Sequence, residues 1–101
     1  MALLDVQGDV ARQAADELTA KGAEAVGLEV DVRDRTAVEA AMDEVRTALG
    51  PIEIAVTSAG VDADGAFTAI SQEAWERVLA INLTGTFHCL QATVPDMLAA
   101  G

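Results

Sequence analysis

Tyrosine is absent from these 101 residues, and Lys21 is the only lysine. No phenolic proton donor with a lysine beside it is therefore carried here. No glycine lies two residues from another, so the Gly-x-Gly element of a phosphate-cradling loop is also absent. A single cysteine, Cys89, excludes an internal disulfide and argues against a Cys-based metal site. It lies in an apolar helical stretch and reads as a small core residue, with a reducing cytoplasm as the expected setting. Basic residues are scarce, 6 against 17 acidic, for a formal net charge of -11. That balance argues against nucleic acid or an anionic membrane as a partner, since both demand a basic surface, and it reads as a solvated exterior. The uncharged stretch 78–95 is interrupted by Asn82, Gly85, His88 and Gln91, which argues against a lipid-facing span. The first five residues lack a basic region and reach Asp5 at once, so no signal peptide is expected.

What remains is 51% hydrophobic and fits one small domain, 1–101. Short apolar runs alternate with amphipathic helices. Residues 2–6 predict a buried strand, and 8–21 a helix with Val10, Ala14, Leu18 and neighbouring alanines facing inward and Gly22 as its stop. Residues 25–30 predict a second strand. Asp34 then caps a helix whose inner stripe is Val38, Ala41, Met42, Val45 and Leu49, ended by Gly50-Pro51. Residues 52–56 predict a third strand, followed by a loop to about residue 70. Ser71 caps a long helix that Pro95 should kink or end. Strand and helix alternating three times imply right-handed crossovers and a parallel sheet, an α/β architecture.

In such sheets ligands bind beyond the carboxyl ends of the strands. The residues leaving those ends are Asp5, Asp31-Val32 and Thr57-Ser58-Ala59-Gly60. Asp5 suits a ribose diol or a turn that caps the next helix. Asp31 suits an adenine and its surroundings, or again a turn. The small residues 57–60 allow a flat ligand to approach the backbone, or form an ordinary tight turn. His88 has no Cys, Asp or Glu at ligand spacing and reads as a helix residue near the core edge.

The long helix holds the sharpest single feature. Trp75, Val78, Leu79, Asn82, Thr86 and Leu90 share one helical face, which places an amide on an apolar stripe. A buried amide needs hydrogen-bond partners, so a backbone group, a water or a catalytic apparatus should meet Asn82.

Taken together and in this order, these residues resemble the short-chain dehydrogenase/reductase family. Asp5 matches the acid after that family's second strand, and Asp31-Val32 the Asp-Val after its third. Thr57-Ser58-Ala59-Gly60 stands in the place of its Asn-Asn-Ala-Gly. Trp75 followed by Asn82-Leu83-Thr84-Gly85 matches its long helix. The resemblance implies a partial Rossmann-like doubly wound sheet: three strand-helix units, without the family's first strand, Gly-rich loop and C-terminal strands. It implies hydride transfer between a nicotinamide cofactor and an alcohol or ketone, with NAD preferred over NADP because of Asp5. It places Asp5, Asp31, Val32, Ser58, Ala59 and Gly60 on the adenosine side of the cofactor and Asn82 in a proton relay through a water. The family's Tyr-x-x-x-Lys has no counterpart here, so these residues alone are expected to be inactive. The resemblance further implies self-association through the long helix, 71–98. Two rivals from other classes are a non-catalytic interaction fragment and a flavodoxin-like signalling module. The second needs a phosphoacceptor Asp after the third strand, where Thr57-Ser58 stands.

Overall fold

The computed structural model describes all of residues 1–101. Strand β1 (Ala2–Asp5) and strand β2 (Val26–Glu29) pair in parallel, with Ala2 opposite Val26 and Asp5 opposite Glu29. Helix α1 (Gly8–Ala20) connects them and lies on the pair. Its approach is closer than the hydropathy pattern suggests. A Cβ added to Gly27 would stand 2.5 Å from Ala11 C and Arg12 N, so helix backbone rests directly on strand backbone. Only small side chains fit beneath such a contact. The buried residues of α1 are therefore Gly8, Ala11 and Ala15. Of the expected inward face, the alanines Ala11 and Ala15 are buried and Ala14 and Leu18 half-buried, whereas Val10 is corrected: it is 49% exposed.

Helix α2 (Arg35–Leu49) starts where expected, with Asp34 accepting a hydrogen bond from Ala37 N at 3.1 Å. It ends at Gly50, whose φ of 93° is a left-handed conformation that favours glycine. Val38, Ala41, Met42 and Val45 are buried along it. Val30, Val38, Ala41 and Met42 form the centre of the core, with Leu4, Leu28, Ile52, Cys89 and Ala92 packed around them. Cys89 is thus the small core residue expected, and burial raises its thiol pKa.

The expected third strand does not form, and the sheet has two strands. Ile54 and Val56 are 82% and 83% exposed, and no backbone-to-backbone hydrogen bond involves residues 53–60. The physical reason is that a strand exists by its ladder. In a doubly wound order another strand stands between this run and β1, and these residues contain no such strand. Apolar character makes a run suitable for a strand and cannot supply its partner.

A short 3-10 turn (Phe67–Ala69) precedes the long helix. Ser71 caps helix α3 (Gln72–Leu79) through its hydroxyl, which accepts from Ala74 N at 3.1 Å. A π-type turn (Ala80–Thr84) continues into helix α4 (Gly85–Ala100) without a break in right-handed helical backbone. Pro95 sits inside α4, so of the two expected outcomes, a kink or an end, it does not end the helix. The turns around it are anchored from outside. Asp96 accepts from Arg46 Nε at 2.9 Å and from Ile52 N at 2.8 Å, while Arg46 Nη2 donates to Ala92 O at 2.6 Å. This knot ties α2, α4 and the start of the 52–56 run. The Arg46 guanidinium and the Ile52 amide hold the Asp96 carboxyl below its usual range, and Asp96 in turn raises the Arg46 pKa.

The face of the long helix that meets the core is not the expected one. Gly85 and Thr93 are buried, whereas Trp75, Leu79 and Leu90 are 55%, 38% and 41% exposed. The solvent-accessible surface is 6921 Å², against about 5,400 Å² for a folded monomer of this mass. The radius of gyration is 15.4 Å, against about 12.7 Å for a compact domain of this length. No helix is long and apolar enough to cross a membrane.

Candidate functional site

Parallel pairing puts the carboxyl ends of β1 and β2 side by side, and Val30 N donates to Asp5 O at 2.9 Å. Asp5 and the Asp31-Val32 turn are therefore neighbours by construction. Asp5 is exposed, and its Oδ1 accepts from Gln7 N at 2.8 Å. This closes a tight turn into α1 and leaves the second carboxylate oxygen without a protein partner.

Asp31 is engaged differently. Its Oδ1 accepts from Arg33 N at 3.0 Å, and the Arg33 guanidinium grips both oxygens, with Nη2 to Oδ2 at 2.6 Å. Those bonds from Arg33 lower the Asp31 pKa and raise that of Arg33. The backbone closes the same turn, with Asp34 N donating to Asp31 O at 3.0 Å. The Asp31 carboxylate is thus committed to its own turn, and the backbone of that turn is what a ligand would meet.

Val32 is clamped from the long helix. A Cβ on Gly85 would overlap the Val32 side chain, so the glycine is what allows contact. Three residues on, His88 Nδ1 lies 2.7 Å from Val32 O. A carbonyl can only accept, so Nδ1 carries the proton.

Asn82 reaches the other loop. Its Nδ2 donates to Val61 O at 2.9 Å and its Oδ1 accepts from Val61 N at 2.8 Å. The partner the amide needs is therefore a backbone group. The residue is exposed, which corrects the expectation that it lies on a buried stripe. That stripe has nothing to cover it. Gly60 sits beside the same amide, its would-be Cβ 3.5 Å from Asn82 Oδ1. Ser58, Ala59 and Gly60 are exposed, and none enters a backbone-to-backbone hydrogen bond. Asp5 and the Asp31–Val32 turn are thus adjacent at the strand ends, and one helix touches both Val32 and, through Asn82, the loop that holds Gly60. Ser58 and Ala59 join it by sequence. From sequence, Gly85 reads only as part of the long-helix motif and His88 only as a helix residue near the core edge, and neither is placed at the site. A glycine inside a helix is itself a signal of close approach, whereas a histidine bonded to a backbone carbonyl leaves no trace in spacing.

Adjacent acidic turns at parallel strand ends stand where ligands bind in open α/β sheets. The sequence profile described as short chain dehydrogenase matches residues 1–101, and the chain belongs to this family. It is 40% identical over 98 residues to an "Inactive 2-(S)-hydroxypropyl-CoM dehydrogenase 2" of Xanthobacter autotrophicus, covering 97% of this chain and 41% of that protein. Among solved structures it superposes on a 3-ketoacyl-ACP reductase from Sinorhizobium meliloti with a TM-score of 0.94 at 29% identity, over 99% of this chain and 40% of that one. A gluconate 5-dehydrogenase from Burkholderia cenocepacia, in complex with NADP and tartrate, gives a TM-score of 0.88 at 28% identity, over 98% and 39%. The chain therefore spans about two fifths of the length of these relatives.

Proposed function

We propose that this chain supplies the adenosine side of a nicotinamide-cofactor site in an oxidoreductase that interconverts an alcohol and a ketone. The observation that carries the reading is the side-by-side placement of Asp5 and the Asp31–Val32 turn at the ends of the two parallel strands, with the helix that packs on Val32 also holding the loop at Gly60 and Val61 through Asn82. The residues fit such a group in two respects. One Asp5 oxygen has no protein partner, and the backbone of 58–60 is free for close approach. Asp31 fits through its backbone alone, because Arg33 holds its carboxylate. When bound, the nicotinamide would take or give the hydride.

The chain's own contribution is binding and positioning. Asp5 would accept from a ribose hydroxyl and repel a 2′-phosphate, favouring NAD over NADP. Asn82 keeps one amide proton and one oxygen lone pair beyond its two bonds to Val61, enough to hold the relay water that the family resemblance implies. These residues contain no tyrosine, so no turnover is expected from them alone with NADH or NADPH and a panel of ketones. Reproducible turnover by the purified chain would contradict that. The exposed apolar side chains of the long helix, Trp75 on one side and Leu83 and Phe87 displaced around it, support association with a second copy. The unpaired Cys89 suits a reducing cytoplasm.

Calorimetric titration of NAD⁺ and NADP⁺ into the chain and its Asp5→Ala variant tests the site. Tighter binding of NAD⁺, with the difference narrowed in the variant, is the expected result. An NADP⁺ preference in the unaltered chain would remove Asp5 from the site.

A further inference from the structure

The Asp31–Val32 turn is held from two sides by one helix. Gly85 lets the Val32 side chain lie against α4, and His88, one turn further, donates from Nδ1 to Val32 O at 2.7 Å. His88 is half-buried and its Nδ1 contacts no other group within hydrogen-bonding distance. Within the turn, Arg33 N and Asp34 N are both consumed by Asp31. Nothing inside the turn holds the Val32 carbonyl. Freed from His88, that peptide unit could rotate, and with it the Asp31–Val32 backbone that a nucleotide would meet.

We propose that His88 is a positioning residue of the nucleotide site: its hydrogen bond to Val32 O fixes the 31–34 turn in the shape that the adenosine end of the cofactor requires. The proposal rests on the nucleotide reading above, but the hydrogen bond can be tested apart from it. One hydrogen bond of ordinary net strength corresponds to about a five- to tenfold change in affinity.

The test compares four chains: unaltered, His88→Ala, His88→Asn and His88→Gln. An Asn amide nitrogen overlays Nδ1 of a histidine, whereas a Gln amide overlays Nε2. Each is titrated with NAD⁺ by calorimetry. Carbon-13 and nitrogen-15 NMR follows the Val32 carbonyl shift and the amide exchange of Arg33 and Asp34. Weakening of NAD⁺ binding by about five- to tenfold in His88→Ala and His88→Gln, with recovery in His88→Asn, is expected. The Val32 carbonyl shift should move and recover in the same pattern. Equal NAD⁺ affinity in the unaltered and Ala chains, or failure of Asn to do better than Gln, would overturn the proposal. Should the unaltered chain bind no NAD⁺, the nucleotide reading of these residues falls. The NMR pattern then decides alone whether His88 positions the turn, and an unchanged Val32 carbonyl in His88→Ala refutes it.

Discussion

Gly85→Ala sets two effects of opposite sign against each other. Replacing a helical glycine by alanine should stabilise by about 1 kcal/mol, because less backbone freedom is lost on folding. Here the new methyl would overlap Val32 Cγ2 and stand 2.9 Å from Val32 Cβ. Carbon atoms make favourable contact at about 3.5 Å or beyond, so α4 and the 31–34 turn must part by about 0.6 Å or more. Little can yield. Val32 is β-branched and stiff at χ1, its Cβ moves only with the backbone, and its carbonyl is held by His88. Overpacking of this kind costs about 1–3 kcal/mol, and with a stiff partner the upper part of that range applies. The net expectation is destabilisation by about 1–2 kcal/mol, or a fall in Tm of roughly 5–15 °C for a chain of this size.

A double-mutant cycle separates the clash from everything else. In a Val32→Ala background the overlapping Cγ2 is gone, so the Gly85→Ala cost should shrink by about 1 kcal/mol, and the coupling should be favourable. Urea unfolding followed by circular dichroism, at one protein concentration for all four chains, provides the four free energies. If Gly85→Ala stabilises, or costs the same in both backgrounds, the packing of the turn on α4 is not as described.

Three other perturbations follow from the same contacts. Gly27→Ala would place a methyl 2.5 Å from backbone atoms of α1 that cannot rotate away; a loss of about 3 kcal/mol is expected, read as loss of the cooperative unfolding transition. Asp96 has its pKa lowered on folding by Arg46 and the Ile52 amide, so its stabilisation is present above the unfolded carboxylate range and lost as pH falls through the depressed folded value. Asp96→Asn should therefore flatten the fall in stability below about pH 4, whereas an unchanged acid limb would show that Asp96 does not report folding. Phe87 is 53% exposed, and Phe87→Asp should leave helix content intact while reducing the dimer or higher oligomer expected of the unaltered chain in sedimentation equilibrium. Unchanged association would place the interface elsewhere, and unfolding would show Phe87 to be core.

Helix limits were legible because they are set by local chemistry. Asp34 and Ser71 cap where a side-chain oxygen can reach an amide three residues on, and Gly50 stops α2 by its left-handed backbone. Features that depend on a distant partner were legible only in part. Residues 52–56 are apolar enough for a strand and lack the ladder that would make them one. On α1 the inward alanines were legible but Val10 was misplaced, because hydropathy ranks it above Ala11, whereas the close approach to Gly27 selects for size. The expected stripe of the long helix assumed a regular period across residues 80–84, where the π-type turn changes the phase. The Arg46–Asp96 knot joins residues 50 apart, and no local pattern announces it.

The π-type turn also bears on how one helix can serve two loops. In a regular helix a step of three residues rotates a side chain by about 60° from its predecessor, so residues at i, i+3 and i+6 fan across an arc rather than stacking on one face. Asn82, Gly85 and His88 stand at that spacing, and each meets something different: the Val61 backbone, the Val32 side chain and the Val32 carbonyl. The first of them lies within the widened turn and the other two beyond it. Asn82 therefore serves the 60–61 loop while the regular helix that follows serves the 31–34 turn. The distance between those loops is set by helical backbone, the stiffest element available to a chain with so little core. A change in the phase of residues 80–84 would move one loop relative to the other without touching either. The polar residue that stood out on an apolar stripe is in this sense one end of a ruler, and its amide reads the backbone of Val61 rather than a side chain.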